Sequence, residues 1–422
     1  MTDSQRQNLL CHLQTAVEIE LSTIPIYLYT YYSVNRIPSP CDALKNGQAL
    51  ATYANRAGGL IMSVAVEEML HMSLACNLMR ALGGYPKIYG KSPGAYPTNL
   101  PHHKKGFSVG LEKLSADQLE KFLGIEKPEK RGAKPEGDNW DTIGQFYDYI
   151  TELIEKQTTD KDYKQEAYQL GGASRYYAAN NVDTVYPKDA YYFQQPENPL
   201  NPAARGADQA VYPNNEDSGE LMVVKDKKSA LKAIHTIQHQ GEGYADDPSH
   251  EADDPEKDEN SHWFKFKELH KEIKNIKADD LNCFILTFPE NPTRASYPSQ
   301  FYPLVDLANA VYSYLLLITE VSFTLKGSAQ STLFYIGMHK GMIFILDKIL
   351  GAMRYLYLNN KAGEVLAPTF ENYQFTSIAS AKQELVALAK TVPASFGLDA
   401  NIIQRIEVLP DVNVGADGVV RF

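Results

Sequence analysis

LIMSVAVEEMLHMSLACNLMRALGG, residues 60–84, decides how the rest of the chain is read. Its apolar residues recur at helical spacing, with Ile61, Val64, Ala75, Leu78 and Leu82 on one stripe. Glu68 and His71 fall on that same stripe. An ionised carboxylate turned into a packed interior is costly unless something compensates its charge. A metal ion is one compensation. A Glu-x-x-His pair sets two ligands about one turn apart on one helix face, as the core helices of bundles that bind two irons do. Glu67, four residues before His71, competes for the inward position. A core histidine paired with a neighbouring acid is the plainer account, so a centre needs partners from other helices.

A chain of 422 residues suits one large domain with an annex, or two domains. With 44% hydrophobic and 22% charged residues it can bury a sizeable core. A net charge of −11 and the lack of any basic stripe argue against a nucleic-acid partner. The N-terminal MTDSQRQNLLCHLQ lacks the regions of a signal peptide. The apolar stretch VYSYLLLITEVSF is interrupted by Glu320, so no membrane span is expected. Cys11, Cys41, Cys76 and Cys283 form no CxxC pair, which fits thiols in a reducing cytoplasm. Tyrosine is abundant, in clusters such as YLYTYY and RYYAAN; these pack helices or line a pocket for an aromatic molecule.

A first helix is expected over about 4–32, its stripe running Leu10, Leu13, Val17, Glu20, Ile24, Tyr27, with Glu18 flanking. Pro25 should kink it just after Glu20 and free a backbone carbonyl. Gly83, Gly84 and Pro86 stop the second helix. A Pro- and Gly-rich crossover follows, on which His102 and His103 read as solvated. A short helix over 115–123 leads into a charged linker to about Trp140. The third long helix, 142–156, should bring a third carboxylate, yet Gln145 and Glu152 only flank its stripe. An Asn-, Pro- and aromatic-rich stretch, 171–218, reads as an ordered insertion over a pocket.

The fourth helix, 226–241, is followed by Glu242 between two glycines, where backbone can approach closely. His235 and His239 compete with Glu242 from a neighbouring face. An acidic loop, most simply a solvated surface, leads to a fifth helix headed by His262. From Phe288 the composition shifts, and two strongly apolar helices follow over about 304–325 and 331–358. Glu320 and His339 lie within them and read by default as members of plain charge pairs. One more amphipathic helix spans about 380–390. The expected organisation is a bundle over 1–287, with an insertion at about 160–225, and a helical extension over 288–422.

Six segments taken in order carry a resemblance: AVEIELSTIPIYLYTYYS, VEEMLHMSLACNLMRALGG, TIGQFY, SALKAI with QHQGEG, SHWFKFKEL and APTFE. Together they resemble the ferritin-like family of iminophenylpyruvate dimer synthases, which includes the imine-coupling proteins of violacein and rebeccamycin biosynthesis. The resemblance covers most of the chain and is least marked over 160–220. It implies an all-α fold, a ferritin-like helical bundle with long inserted loops and a C-terminal helical extension. It maps Glu20, Glu68, His71, Glu242 and His262 onto the family's metal-site positions. The family's TIGEFY has Gln145 in place of its acid here, which makes a single metal or a weaker second site credible.

The resemblance points to a metal-dependent oxidoreductase of specialised metabolism. Its cofactor would be iron, as one or two ions. Its partner would be a small aromatic imino or keto acid, oxidised or coupled. Hydroxylation is an alternative reaction on the same site. A different class of reading is a non-catalytic bundle that stores or senses metal or binds a small molecule, and Gln145 favours it. A homo-oligomer is compatible with either.

Overall fold

In the computed structural model of this chain the described residues are 1–35, 47–129, 133–164, 166–171, 221–241, 261–358 and 363–413. Among them regular structure is helical, and β pairing is confined to isolated bridges. The helices are α1 (Asp3–Tyr32), α2 (Gly47–Ala81), α3 (Ala116–Ile125), α4 (Ile143–Gln157), α5 (Lys227–Gly241) and α6 (His262–Ile273). The C-terminal region adds α7 (Tyr302–Ser322), α8 (327–353), α9 (Ala381–Thr391) and α10 (Ile402–Glu407).

Local chemistry sets several boundaries. Thr2 caps α1 and forms a reciprocal box with Gln5, while Ser115, Thr142 and Ser261 cap α3, α4 and α6 through their hydroxyls. At the end of α2, Gly83 adopts φ +82°, a left-handed conformation that glycine takes without penalty. The Gly84 N–H then donates back to the Met79 carbonyl at 2.8 Å. A Cβ on Gly84 would lie 2.6 Å from Leu10 Cδ2, so glycine there lets the Leu10 side chain of α1 pack directly on the α2 stop.

Four helices make the bundle: α1 packs on α2 and α4, and α5 packs on α2 and α4. Arg6 donates to the Leu82 carbonyl while Thr23 donates to Glu68, so α1 and α2 run antiparallel. Likewise Lys227 reaches the Glu155 carbonyl and Gln238 reaches Asp148, so α4 and α5 do too. Helices α3 and α6 pack against each other, and α6 closes on α2 and α5. Pro25 lies inside a continuous α1 and carries no N–H for the Leu21 carbonyl, which instead accepts Ser92 Oγ at 3.4 Å.

The C-terminal helices share one apolar core with the bundle. Between 327 and 353 the expected plain α-helix contains two wide-turn π stretches, Thr332–Met338 and Met342–Leu346. Among the described residues two helical segments, Tyr53–Ala81 and Ser299–Ser322, are long and apolar enough to cross a membrane, so Glu320 does not keep the apolar runs below that length. In each, 83% of the apolar window is buried against protein, so that surface is already used.

Glu320 joins the two parts of the chain. One carboxylate oxygen accepts from the Ile88 N–H at 2.7 Å and the Tyr89 N–H at 3.0 Å, and the other takes Lys87 Nζ at 3.2 Å. The expected charge pair exists, but two backbone donors carry the anchor as well. Glu320→Ala leaves them unsatisfied and is expected to cost about 1–3 kcal/mol. A lower urea midpoint, with faster amide exchange at Ile88 and Tyr89, checks this; an unchanged midpoint contradicts it. The His339 side chain lies outside the described residues.

Candidate metal centre

Side chains from five helices, or their ends, converge inside the bundle. Glu20 comes from α1, Glu68 and His71 from α2, Tyr147 from α4 and Gln240 from α5, with His262 as the first residue of α6. A further carboxylate, Glu126, stands at the C-cap of α3. None of these seven is more than 5% exposed. Glu20, Glu68 and His71 offer ligand atoms within 4.8 Å of one another, and so do Glu68, Glu126 and His262. Glu68 belongs to both groups.

Each carboxylate is held by one oxygen and aims the other inward. Tyr147 donates to Glu20 Oε1 at 2.5 Å, while Glu20 Oε2 faces His71 Nδ1 at 3.8 Å. Tyr27 donates to Glu126 Oε1, while Glu126 Oε2 faces His262 Nδ1 at 3.5 Å. Thr23 donates to Glu68 Oε2, and Glu68 Oε1 stands between the imidazoles, 3.5 Å from His71 Nδ1 and 3.2 Å from His262 Nδ1. The phenols of Tyr27 and Tyr147 are pushed well above their ordinary range, first by burial, so both remain donors.

The two imidazoles are held from behind. His71 Nε2 meets Gln240 Oε1 at 2.8 Å, and His262 Nε2 meets Glu67 Oε2 at 3.0 Å. Both acceptors hold a proton on Nε2 and turn Nδ1 toward the centre, where it can serve as a ligand atom once deprotonated. The rings lie nearly parallel, 5.4 Å between centroids. His262 Nδ1 has no hydrogen-bond partner among the described residues, although two carboxylate oxygens face it. A buried imidazole nitrogen of this kind, facing oxygens drawn from two carboxylates, fits a cation. The mixed set of carboxylates and imidazoles suits a hard or borderline metal ion rather than a soft one.

Electrostatics describe the metal-free state. Burial and then the Glu68 carboxylate push Glu20 up to about 7. Burial alone would also raise Glu68, but His262 and His71 hold it well below the usual carboxylate range. Burial works against charge on His71, yet Glu20 and Glu68 raise it to about 10. Around His262, Glu126 first and then Glu67 and Glu68 outweigh burial and keep its pKa high. Protons on the imidazoles thus stand where cations would. At neutral pH a cation taking His71 Nδ1 must displace its proton, so uptake is expected to release protons and to weaken as pH falls. Titration calorimetry in buffers of different ionisation enthalpy measures this; a buffer-independent heat contradicts it.

Of the five residues expected at the site, Glu20, Glu68, His71 and His262 come together, while Glu242 lies outside the described residues. The inward choice between Glu67 and Glu68 resolves as both: Glu68 lines the centre and Glu67 stands behind His262. Gln145 is no ligand in this arrangement. Its Oε1 accepts the Asp141 N–H at 2.9 Å and its Nε2 donates to the Lys134 carbonyl, fastening the start of α4. The helix reaches the centre two residues later, through Tyr147.

Glu126 corrects the charged-linker expectation, since it stands at 2% exposure among ligand-type side chains. Its only signal in sequence is its place one turn after Phe122, on the buried face of α3. His235 and His239 stack on each other at 5.9 Å, on a face apart from the centre, and His235 is exposed. His102 and His103 stay on the crossover, His102 3.5 Å from exposed Asp138. The aromatic insertion over 172–220 lies outside the described residues.

A family model described as Ferritin-like matches residues 13–271. No curated protein matches the chain. Among solved structures, a ferritin-like protein from Caulobacter vibrioides is similar, with a TM-score of 0.47 and 19% identity. That likeness covers 81% of this chain and 95% of the other.

Proposed function

This chain belongs to the ferritin-like family, and on that premise we propose that it is an iron-dependent oxidoreductase with Glu20, Glu68, His71, Glu126 and His262 holding the metal. The observation that carries this reading is Glu68, whose single inward oxygen serves two buried Glu/His groups at once. A pair of iron ions held there would supply oxygen-dependent oxidation of a bound organic molecule, a role in which this family often uses iron.

The chain's own side chains do the positioning. Tyr147, Tyr27 and Thr23 each occupy one oxygen of a carboxylate and so orient the other. Gln240 and Glu67 set the imidazole tautomers. Phe122 and Phe266 pack on Tyr27, at 4.8 and 5.3 Å between centroids, and so hold the phenol that meets Glu126. The substrate class we propose is an aromatic α-imino or α-keto acid undergoing oxidation or coupling, supported by the six ordered segments that resemble the imine-coupling proteins. Gln145, the residue that favours a non-catalytic bundle, makes its contacts at the start of α4, outside this group of side chains.

The test is elemental analysis of protein loaded anaerobically with ferrous iron, followed by oxygen uptake with an aromatic α-keto acid and ammonia. About two ions per chain and substrate-stimulated uptake are expected. A chain that retains no metal, or that holds iron without consuming oxygen, overturns the reading.

A further inference from the structure

The supports behind the two histidines differ in charge. His71 donates to a neutral amide oxygen, Gln240 Oε1, at 2.8 Å. His262 donates to a carboxylate oxygen, Glu67 Oε2, at 3.0 Å. The same Glu67 oxygen takes Lys265 Nζ at 2.7 Å. Glu67 is fully buried and Lys265 is 3% exposed. His262 and Lys265 lie three residues apart on α6, so one helical turn presents both to a single oxygen.

An imidazole whose N–H is donated to a carboxylate is a stronger donor at its other nitrogen than one donated to an amide. The ammonium of Lys265 draws on the same oxygen and moderates that effect. It also gives the buried Glu67 charge a partner that the fold requires.

We propose that the two halves of the centre are unequal: the half built on His262, Glu68 and Glu126 binds the first cation, and the Glu67–Lys265 pair sets how far its affinity exceeds that of the half built on His71, Glu68 and Glu20. Glu67 and Lys265 are positioning residues that act through His262. This rests on the reading of the centre as a site for two cations.

The experiment is anaerobic titration of the full, metal-stripped chain with Co(II), followed by calorimetry and by the cobalt absorption spectrum. The wild type should fill in two resolved steps. His71→Ala should keep the tighter step and His262→Ala should lose it. Glu67→Gln, which preserves shape and an acceptor oxygen, should weaken the tighter step about 10–100-fold and draw the two steps together. Lys265→Met should shift the tighter step the other way, which a merely structural role would not do. If Lys265→Met does not fold, as judged by circular dichroism, Glu67→Gln still decides the matter. Two indistinguishable steps in the wild type, or an unmoved first step in Glu67→Gln, overturn the asymmetry while the metal reading stands. A wild type that takes up no cobalt overturns both.

Discussion

Glu68→Ala is expected to empty the whole centre, taking bound iron from about two ions per chain to almost none. Among the described residues Glu68 alone faces the Nδ1 atoms of both imidazoles: its Oε1 lies 3.5 Å from His71 Nδ1 and 3.2 Å from His262 Nδ1. Among the described residues, removing it leaves each half with a single carboxylate, Glu20 or Glu126. The metal-free protein should suffer too, because two buried imidazoles lose the carboxylate between them. Breaking a buried ion pair from one side costs about 3–5 kcal/mol. Elemental analysis reads the first effect and urea unfolding of metal-stripped protein reads the second. Iron retained at the wild-type level would remove Glu68 from the centre.

Glu126→Ala is expected to act on one half only. The His262 half loses its terminal carboxylate, and Tyr27 loses its acceptor. The Glu20–Glu68–His71 half keeps every contact it has. Iron should therefore fall from about two ions per chain toward one, and substrate-dependent oxygen uptake should be lost. The matched control is Gln145→Ala, which should leave metal content unchanged because Gln145 touches Asp141 and Lys134 rather than the centre. The opposite pattern, with metal lost from Gln145→Ala and kept in Glu126→Ala, would return the third carboxylate position to α4. The two variants together separate the spatial arrangement from the motif.

Residues were legible in sequence where a regular helix imposed a period on them. Glu20 interrupts the stripe of α1, and Glu68 with His71 interrupts that of α2, and all three are buried in the bundle. His262 heads the α6 stripe and is fully buried at the helix start. The stripe could not rank Glu67 against Glu68, because α2 is surrounded: α1, α5 and α6 all pack on it. A helix covered on several sides has more than one inward face, so neighbouring residues can both be buried with different partners.

Glu126 escaped for a different reason. It follows the last turn of a short helix, where the period stops, and it sits beside charged residues that read as solvent-facing. Only packing carries it inward: α3 lies on α6, and the Tyr27 hydroxyl from α1 meets its carboxylate. Lys265 is similar. Alternation with aromatics in HWFKFKEL gives it no mark of burial, and its role depends on Glu67, 198 residues away in sequence.

By itself the sequence determined the all-helical class, the order of the bundle helices and four of the acid and imidazole groups at their centre, because helical periodicity is a local property that residue spacing records. The tertiary structure alone decided that Glu126 stands beside Glu68 and His262, that Gln145 lies away from them, and that Glu67 with Lys265 stands behind His262. Those assignments depend on which helix ends meet, and contact between segments far apart in the chain leaves no period in either one.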